Sequence, residues 1–351
     1  MEYLMALAKR YLFFISQNYS FGILRPLQQA ILQSGGMVAW YLEGKEVNPD
    51  YLQKGDVRLL SMDDVIRFNA DANLFPGNIA PTFLPGINVA VFHGFDAGKV
   101  DKYGNNDHFK IRNCFDLYCT QGPDSTAKFK ALMEPPRSYM VRETGWCALD
   151  TLFDDTDVVK LEKPTVLMCS TFSRRLSCAE TLFPLITKLS KTGKWQWLIQ
   201  FHPKMAPETV AKYRSLESEH LCFVETDDVK PLLKQADVML CDTSSVLLMF
   251  LLLNKPVVTF NNIEPKDFLL NVVTKEEVES ALEIALTRPP NLMKNIAQYN
   301  ELNHPYQDGK SSYRVLAAID ECLANKHQLT KKKPDIFRQL KMRKRLGYWK
   351  L

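Results

Sequence analysis

Hydrophobic residues in this chain recur in short uninterrupted runs that end at small or polar residues. In the clearest case the run Val238–Cys241 precedes Asp-Thr-Ser-Ser at 242–245. A run of this length is typical of a buried strand, whereas Asp, Thr and Ser favour the start of a helix. The apolar run 246–253 predicts a buried helix that stops at Asn254, before a second strand at Val257–Phe260. The pattern predicts a strand, helix, strand unit of a parallel sheet.

The same alternation continues along the rest of the chain. Because strands alternate with helices, it favours an α/β fold with parallel sheets. The predicted strands are 11–15, 37–42, 87–92, 115–119, 139–144, 165–169, 195–201 and 221–224, and the predicted helices are 21–33, 63–68, 125–132, 179–189, 228–234, 276–286, 313–323 and 335–346.

The length and the charge distribution of the chain predict how it is divided into domains. At 351 residues it exceeds the usual size of one core, so we predict domains at 1–157 and 158–326 and a basic C-terminal helix at 327–351. The charged segment 154–163, with Asp154, Asp155 and Asp157, is interpreted as the linker, and a metal-binding use of these aspartates is the alternative.

Composition excludes several classes of protein. Hydrophobic residues make up 46% and charged residues 24%, and no apolar run approaches the ~20 residues that cross a bilayer. Eight cysteines lack any Cys-x-x-Cys pair, and Cys169, Cys222 and Cys241 lie in apolar runs. They indicate reduced core residues rather than a disulfide framework or a zinc site. We therefore predict a cytoplasmic protein.

Two stretches that follow predicted strands are candidate anion sites. At 242–245, serine hydroxyls and free N–H groups of a first helical turn suit phosphate. At 170–175, Ser-Thr-Phe-Ser-Arg-Arg adds paired arginines. The carboxyl ends of parallel strands are where open α/β sheets bind ligands. For 242–245, an ordinary helix cap without a ligand is the alternative.

Two histidines, His93 and His202, each end an apolar strand, one in each half of the chain. If the two sheets face each other, both imidazoles point into the cleft between them. A histidine can take a proton from a hydroxyl at neutral pH, and a second can bind a phosphate. A structural hydrogen bond is the alternative for each. His108, His220, His304 and His327 lie in polar segments, which predicts surface positions. Of these, only His108, in the loop after His93, could reach the cleft.

These motifs resemble a known family. Phe92-His93-Gly94-Phe95 resembles the Trp-His-Gly-Thr motif of the CDP-glycerol glycerophosphotransferases of the teichoic acid primase and polymerase type. Phe201-His202-Pro203 resembles their second histidine motif, and 237–246 with 253–256 resembles their Thr-Asp-Tyr-Ser-Ser segment and the strand after it. Weaker matches follow the family order at Thr144-Gly145 with Leu149-Asp150, Thr171-Phe172 with Arg174, and Asp308-Gly309-Lys310 with Arg314.

The resemblance implies a GT-B architecture, in which two Rossmann-like domains face a central cleft and the C-terminal one holds the CDP moiety. It implies transfer of glycerol phosphate from CDP-glycerol, or a related nucleotide-activated donor, to a hydroxyl with release of CMP. His93 would be the base and His202 would contact the pyrophosphate, without a metal or cofactor. The implied substrate-binding residues are Gly94, Thr171, Arg174, Pro203, Lys204, Asp242, Thr243, Ser244, Ser245, Asp308 and Lys310.

Two other functions stay open from the residues: a GT-B glycosyltransferase that uses a nucleotide sugar, and a nucleotide-binding protein without catalysis. The acceptor implied by the resemblance is a cell-surface glycan or its lipid-linked precursor.

The basic character of the chain is confined to its tail. From Lys326 onward ten Lys or Arg residues stand against Asp335 alone, while the whole chain carries only +4. The tail helix either returns onto the N-terminal domain with a solvated charged face or contacts an anionic membrane at its cytoplasmic face. We expect no nucleic-acid partner.

Overall fold

The computed structural model describes residues 8–96, 104, 106–154, 161–226, 228–333 and 335–350. The chain divides into two compact units: unit 1 is Met1–Asp154 with Asn303–Leu351, and unit 2 is Asp155–Leu302. Asp155 and Asp157 of the predicted linker lie outside the described residues. The domain boundaries drawn from the sequence stay a prediction. They differ from these units at residues 155–157 and 303–326, and the tail 327–351, predicted as a separate helix, is part of unit 1.

Unit 1 contains a seven-stranded parallel sheet in the order β3-β2-β1-β4-β5-β6-β7. The strands in the middle of the sheet, Arg10–Ile15, Ala72–Phe75, Ile87–Ala90 and Leu117–Thr120, are buried except for Arg10, as expected for a sheet covered on both faces. The elements are β1 (Arg10–Ile15), α1 (Tyr19–Gln33), β2 (Met37–Leu42), β3 (Val57–Leu59), α2 (Met62–Phe68), β4 (Ala72–Phe75), β5 (Ile87–Ala90), β6 (Leu117–Thr120), α3 (Pro123–Ala131) and β7 (Met140–Glu143).

Unit 2 contains a six-stranded parallel sheet in the order β10-β9-β8-β11-β12-β13. Its elements are β8 (Thr165–Ser170), α4 (Ala179–Ser190), β9 (Gln196–Phe201), α5 (Pro207–Arg214), β10 (Leu221–Phe223), α6 (Lys230–Gln235), β11 (Val238–Cys241), α7 (Val246–Leu251), β12 (Val257–Phe260), β13 (Leu270–Val272), α8 (Val278–Leu286) and α9 (Pro290–Asn303).

The C-terminal segment of unit 1 adds α10 (Ser311–Ala324) and α11 (Ile336–Leu346). The predicted return helix is confirmed, since α11 packs on unit 1. Gln339 Oε1 accepts a hydrogen bond from the Thr82 backbone N–H (3.1 Å), and Met342 is buried. The Arg343 guanidinium lies 4.4 Å from the centre of the Phe83 ring.

Several elements differ from the sequence predictions. Strands β3, β4 and β13 and helices α5 and α9 were not predicted, and α7 ends two residues earlier than expected, with Asn254 in a left-handed conformation (φ 54°) three residues later. Cys222 is exposed rather than in the core. The reason is that β10 is an edge strand whose alternate residues, Leu221 and Phe223, face the core.

No helix in the described ranges is both long and apolar enough to span a bilayer.

Candidate functional site

The sheet of unit 2 has a topological switch point between β8 and β11. From β8 the chain proceeds to β9 and β10 on one side and then returns to β11 and β12 on the other. Loops that leave neighbouring strands in opposite directions open a crevice at the carboxyl edge, which is the usual ligand site of such sheets. The predicted site segments 170–175 and 242–245 follow the two strands at this point, and His202 follows the adjacent strand β9.

Asp242 joins the two loops at the switch point. Its carboxylate is fully buried and accepts hydrogen bonds from the Ser170 hydroxyl (2.6 Å) and from the backbone N–H groups of Thr171 (3.1 Å) and Cys178 (3.1 Å). A carboxylate needs such donors when it is removed from water. The contacts of Asp242 therefore fix the 170–178 loop, and its predicted contact with substrate stays a prediction.

These two loops carry hydroxyl and cationic side chains. Arg174 is exposed and makes no ion pair with any residue that the structure describes, and Ser244 and Ser245 lie on the turn before α7. Thr243 differs from them because its Oγ1 accepts a hydrogen bond from the Ile263 backbone N–H (3.2 Å). The serine hydroxyls and the Arg174 guanidinium are thus the groups best suited to an anionic ligand.

His202 has a fixed tautomer. The backbone N–H of Lys204 donates to His202 Nδ1 (3.0 Å), so the ring proton of the neutral imidazole resides on Nε2. Partial burial, with the Lys204 charge as the second cause, lowers the pKa of His202 below its ordinary value. The exposed Phe172 ring lies 4.5 Å from the imidazole, centre to centre. At neutral pH His202 therefore presents a neutral Nε2–H donor beside Pro203 and Lys204.

His93 has the opposite tautomer in unit 1. Its Nδ1 lies 3.1 Å from the carbonyl oxygen of Pro76, and because a carbonyl only accepts, Nδ1 carries the proton. In the neutral ring Nε2 then keeps its lone pair, and the side chain is exposed. The carbonyl of Gly94 accepts from Gln121 Nε2 (2.7 Å), which holds the turn that carries His93. This arrangement suits a group that accepts a proton.

Asp308 and Lys310 lie at the start of α10, in unit 1 rather than in unit 2. Asp308 accepts a hydrogen bond from the Lys310 backbone N–H (3.1 Å) and forms an ion pair with Arg314. The Lys310 side chain is exposed. Their predicted contact with the donor stays a prediction.

The surface position predicted for His304 is wrong. The residue is 0% exposed, and its Nε2 accepts a hydrogen bond from the Trp146 backbone N–H (2.9 Å). Burial lowers the pKa of His304 to about 4, so the ring is neutral. The prediction failed because the partner lies far away in the sequence, whereas the local composition is polar.

The structure adds residues that the sequence did not indicate. Pro76, Gln121 and Trp146 contact the His93 turn, and Phe172 contacts His202. Only Phe172 had a sequence signal, as part of the weaker family match. Among the residues that the structure covers, no three His, Cys, Asp or Glu side chains are placed to hold a metal ion.

Comparison with known proteins bears on both fold and family. Residues 187–321 match the family described as CDP-Glycerol:Poly(glycerophosphate) glycerophosphotransferase. The structure of the wall teichoic acid polymerase TagF is similar at 15% identity and a TM-score of 0.63, covering 92% of this chain and 90% of that chain. A UDP-GlcNAc 2-epimerase from Neisseria meningitidis, bound to UDP-GlcNAc, is similar at 14% identity and a TM-score of 0.61, covering 89% and 100%. No curated protein sequence matches the chain.

At these sequence identities the similarity to the solved structures supports the fold and not the function. The predicted class, two parallel α/β sheets of the GT-B type, is confirmed, and the family match confirms the resemblance for residues 187–321. The position of the two histidines in one cleft stays a prediction.

Proposed function

Because residues 187–321 match the glycerophosphotransferase family, we propose that this protein transfers glycerol phosphate from CDP-glycerol to a hydroxyl of a glycan, releasing CMP. The acceptor is a teichoic-acid or capsular polymer or its lipid-linked precursor. The observation that carries the proposal is the pair of complementary tautomers, with a free lone pair on His93 Nε2 and a proton on His202 Nε2. The family match favours this reaction over a nucleotide-sugar glycosyltransferase.

The proposed reaction is a displacement at the phosphorus that bears glycerol. The acceptor oxygen forms the new P–O bond while His93 Nε2 takes its proton, and the bond to the bridging oxygen breaks so that CMP leaves. His202 Nε2–H donates to a phosphate oxygen as negative charge accumulates there. Arg174, Ser244 and Ser245 supply further donors, and such electrostatic stabilisation is often the largest catalytic contribution.

The test is donor specificity followed by removal of the base. We expect CMP release from CDP-glycerol in the presence of acceptor, and no release of UDP from UDP-sugars. His93→Ala should lower turnover at least ~10²-fold while donor affinity is unchanged, because a general base contributes about that much. His327→Ala, an exposed histidine of unit 1, is the matched control and should keep full activity. UDP release, or full turnover by His93→Ala, would refute the proposal.

The proposal includes peripheral contact of helix α11 with the anionic inner face of the cytoplasmic membrane. Phe337, opposite the packed face, is 80% exposed, and Ile336, in the first turn of the helix, is 70% exposed. Lys341 and Lys344 are exposed on the same side of the helix as Phe337. Exposed apolar side chains beside cations are the pattern of helices that lie in a membrane interface. A lipid-linked acceptor would be found at such a surface.

Vesicle sedimentation tests this contact. We expect binding to vesicles that contain anionic lipid and little binding to zwitterionic ones, since each basic residue near an anionic surface contributes about 1 kcal/mol. Phe337→Ser should weaken binding. Leu132→Ser, at an exposed apolar residue directly after α3 in the same unit, should leave it unchanged. Equal behaviour of the two variants would refute a role for α11.

A further inference from the structure

The residue before His93 has an unusual backbone conformation. Phe92 has φ 60°, in the left-handed region that bulky side chains rarely adopt. Of the six non-glycine residues with positive φ in the described part of the chain, four are asparagines, which tolerate this region. Strained backbone persists only where the surrounding structure fixes it, and it concentrates at functional sites. The contacts that hold Phe92 in this conformation therefore bear on the role of the neighbouring His93.

Trp146 provides the hydrogen bond at this position. Its indole Nε1–H donates to the Phe92 carbonyl oxygen (3.2 Å), and both side chains are buried. The Phe95 ring, on the other side of His93, packs edge-on against the indole with ring centres 5.5 Å apart. Trp146 thus contacts the His93 turn at both of its ends.

Trp146 is itself held in place by buried groups. Its backbone N–H donates to His304 Nε2 (2.9 Å), and the preceding residue, Gly145, has φ 76°. A Cβ atom at Gly145 would lie 2.4 Å from Ser311 Oγ, so only glycine fits there. The backbone that carries the indole is therefore held by buried groups on the side away from the His93 turn.

We propose that Trp146 is a positioning residue for His93. Its indole N–H stabilises the left-handed Phe92 conformation, and that conformation directs His93 Nδ1 to the Pro76 carbonyl, which leaves Nε2 unprotonated. The kinetic consequence rests on the proposed function, whereas the tautomer of His93 does not.

The first test reads the tautomer directly. In ¹⁵N-histidine-labelled protein, we expect the six histidines to give resolved ring-nitrogen signals, with His93 protonated at Nδ1. Trp146→Phe keeps an aromatic ring but removes the donor, and we expect His93 to shift toward a mixture with Nε2 protonated. Trp40→Phe is the matched control, because Trp40 is also buried in unit 1 and its Nε1 has no hydrogen-bond partner among the described residues. An unchanged His93 tautomer in Trp146→Phe would overturn the proposal, as would the same shift in Trp40→Phe.

The second test is kinetic. Trp146→Phe should lower kcat between ~10-fold and ~100-fold, because small displacements of a catalytic group have effects of this size, with KM for CDP-glycerol within ~2-fold. Trp40→Phe should retain kcat. Retained kcat in Trp146→Phe, or a rise in KM alone, contradicts the proposal. A shifted tautomer in a protein that never turns over CDP-glycerol would refute the proposed function and leave the positioning role standing.

A measurement on the unaltered protein covers the case in which Trp146→Phe does not fold. The indole proton of Trp146 should exchange with solvent slowly, since it is buried and hydrogen-bonded. Fast exchange of this proton would show that the bond to Phe92 is not formed, and the proposal would fail.

Discussion

The hydrogen-bond partner of one ring nitrogen decides what the other nitrogen of a histidine can do. A carbonyl partner at His93 Nδ1 and an N–H partner at His202 Nδ1 give the two residues opposite chemistry, although both follow a parallel strand. The proposed roles of base and phosphate donor follow from these partners.

Glutamine substitutions separate the two roles, because an amide can donate a hydrogen bond but does not act as a base at neutral pH. We expect His202→Gln to lose ~10-fold in kcat/KM and His202→Ala ~10²-fold or more, the usual effect of removing one donor. His93→Gln should be as inactive as His93→Ala. CMP release is the measurement, and equal losses in the two His202 variants would argue that His202 transfers a proton.

His304 makes stability depend on pH. Burial lowers its pKa in the folded state to about 4, and an unfolded histidine titrates near ~6.5. Between pH ~4 and ~6.5 the unfolded state therefore binds more protons than the folded state. The stabilising contribution of a neutral, buried His304 is complete above pH ~6.5 and is lost as the pH falls toward ~4. The difference between the two pKa values corresponds to about 3 kcal/mol in the free energy of unfolding. The charges of Arg314 and Asp308 act in opposite directions on the same group.

Urea unfolding between pH 7 and 4.5 tests this effect. His304→Gln retains an acceptor for the Trp146 N–H but does not titrate, so its free energy of unfolding should fall less with decreasing pH than that of the unaltered protein. His327→Gln, at an exposed site, should follow the unaltered protein. Parallel pH profiles for all three proteins would contradict the buried, neutral His304.

At the scale of elements, sheet order places candidate residues that are distant in sequence side by side. Asp242 after β11 and Ser170 at the end of β8 are hydrogen-bonded, although 72 positions separate them. The loop that carries Thr171 and Arg174 is thereby fixed by a residue from the other half of the sheet. A stable loop shape at the switch point depends on this carboxylate.

Asp242→Asn should therefore affect both stability and donor binding. Replacing the carboxylate weakens hydrogen bonds to a charged acceptor, each of which contributes ~1.5–3 kcal/mol, and we expect a loss of about 2–3 kcal/mol in the free energy of unfolding. KM for CDP-glycerol should rise ~10-fold as the 170–178 loop loses its fixed shape. Asp237→Asn at the amino end of β11, where the carboxylate accepts only the Thr165 N–H among the described hydrogen bonds, should leave KM unchanged. Equal KM values would show that the loop does not need Asp242.

Sequence patterns predicted the elements that have a strong local signal. Continuous apolar runs such as Val238–Cys241 and Val257–Phe260 have the exact strand bounds of the structure, because a buried parallel strand is apolar on both faces. Strands β3 and β13 have three residues each, none of them buried, and the apolar run of β4 is interrupted by Asn73, so no continuous apolar run marks these three strands. His93 and His202 were found as strand ends, whereas Trp146 and His304 act through contacts between distant segments, which no local pattern contains.

At the scale of the molecule, unit 1 is built from two separate segments of the chain, one at each end. Helix α10 contributes buried residues such as Val315, Ile319 and Cys322 to unit 1, and the Ser311 and Ser312 N–H groups donate to the Asp150 carboxylate (2.8 and 2.7 Å). Unit 2 is one continuous segment with its own core. Folding of unit 1 should therefore require both ends of the chain.

Fragments test this requirement. We expect residues 155–302 to unfold cooperatively in urea by themselves, since their apolar core and their six-stranded sheet are internal to the segment. Residues 1–154 should lack a cooperative transition, because without α10 the Asp150 carboxylate loses both N–H donors and the apolar surface under Val315 and Ile319 meets water. Co-expression with residues 303–351 should restore the transition, and the same peptide with Val315→Asp and Ile319→Asp should not. A cooperative transition in residues 1–154 alone would contradict the assignment of the C-terminal helices to the core of unit 1.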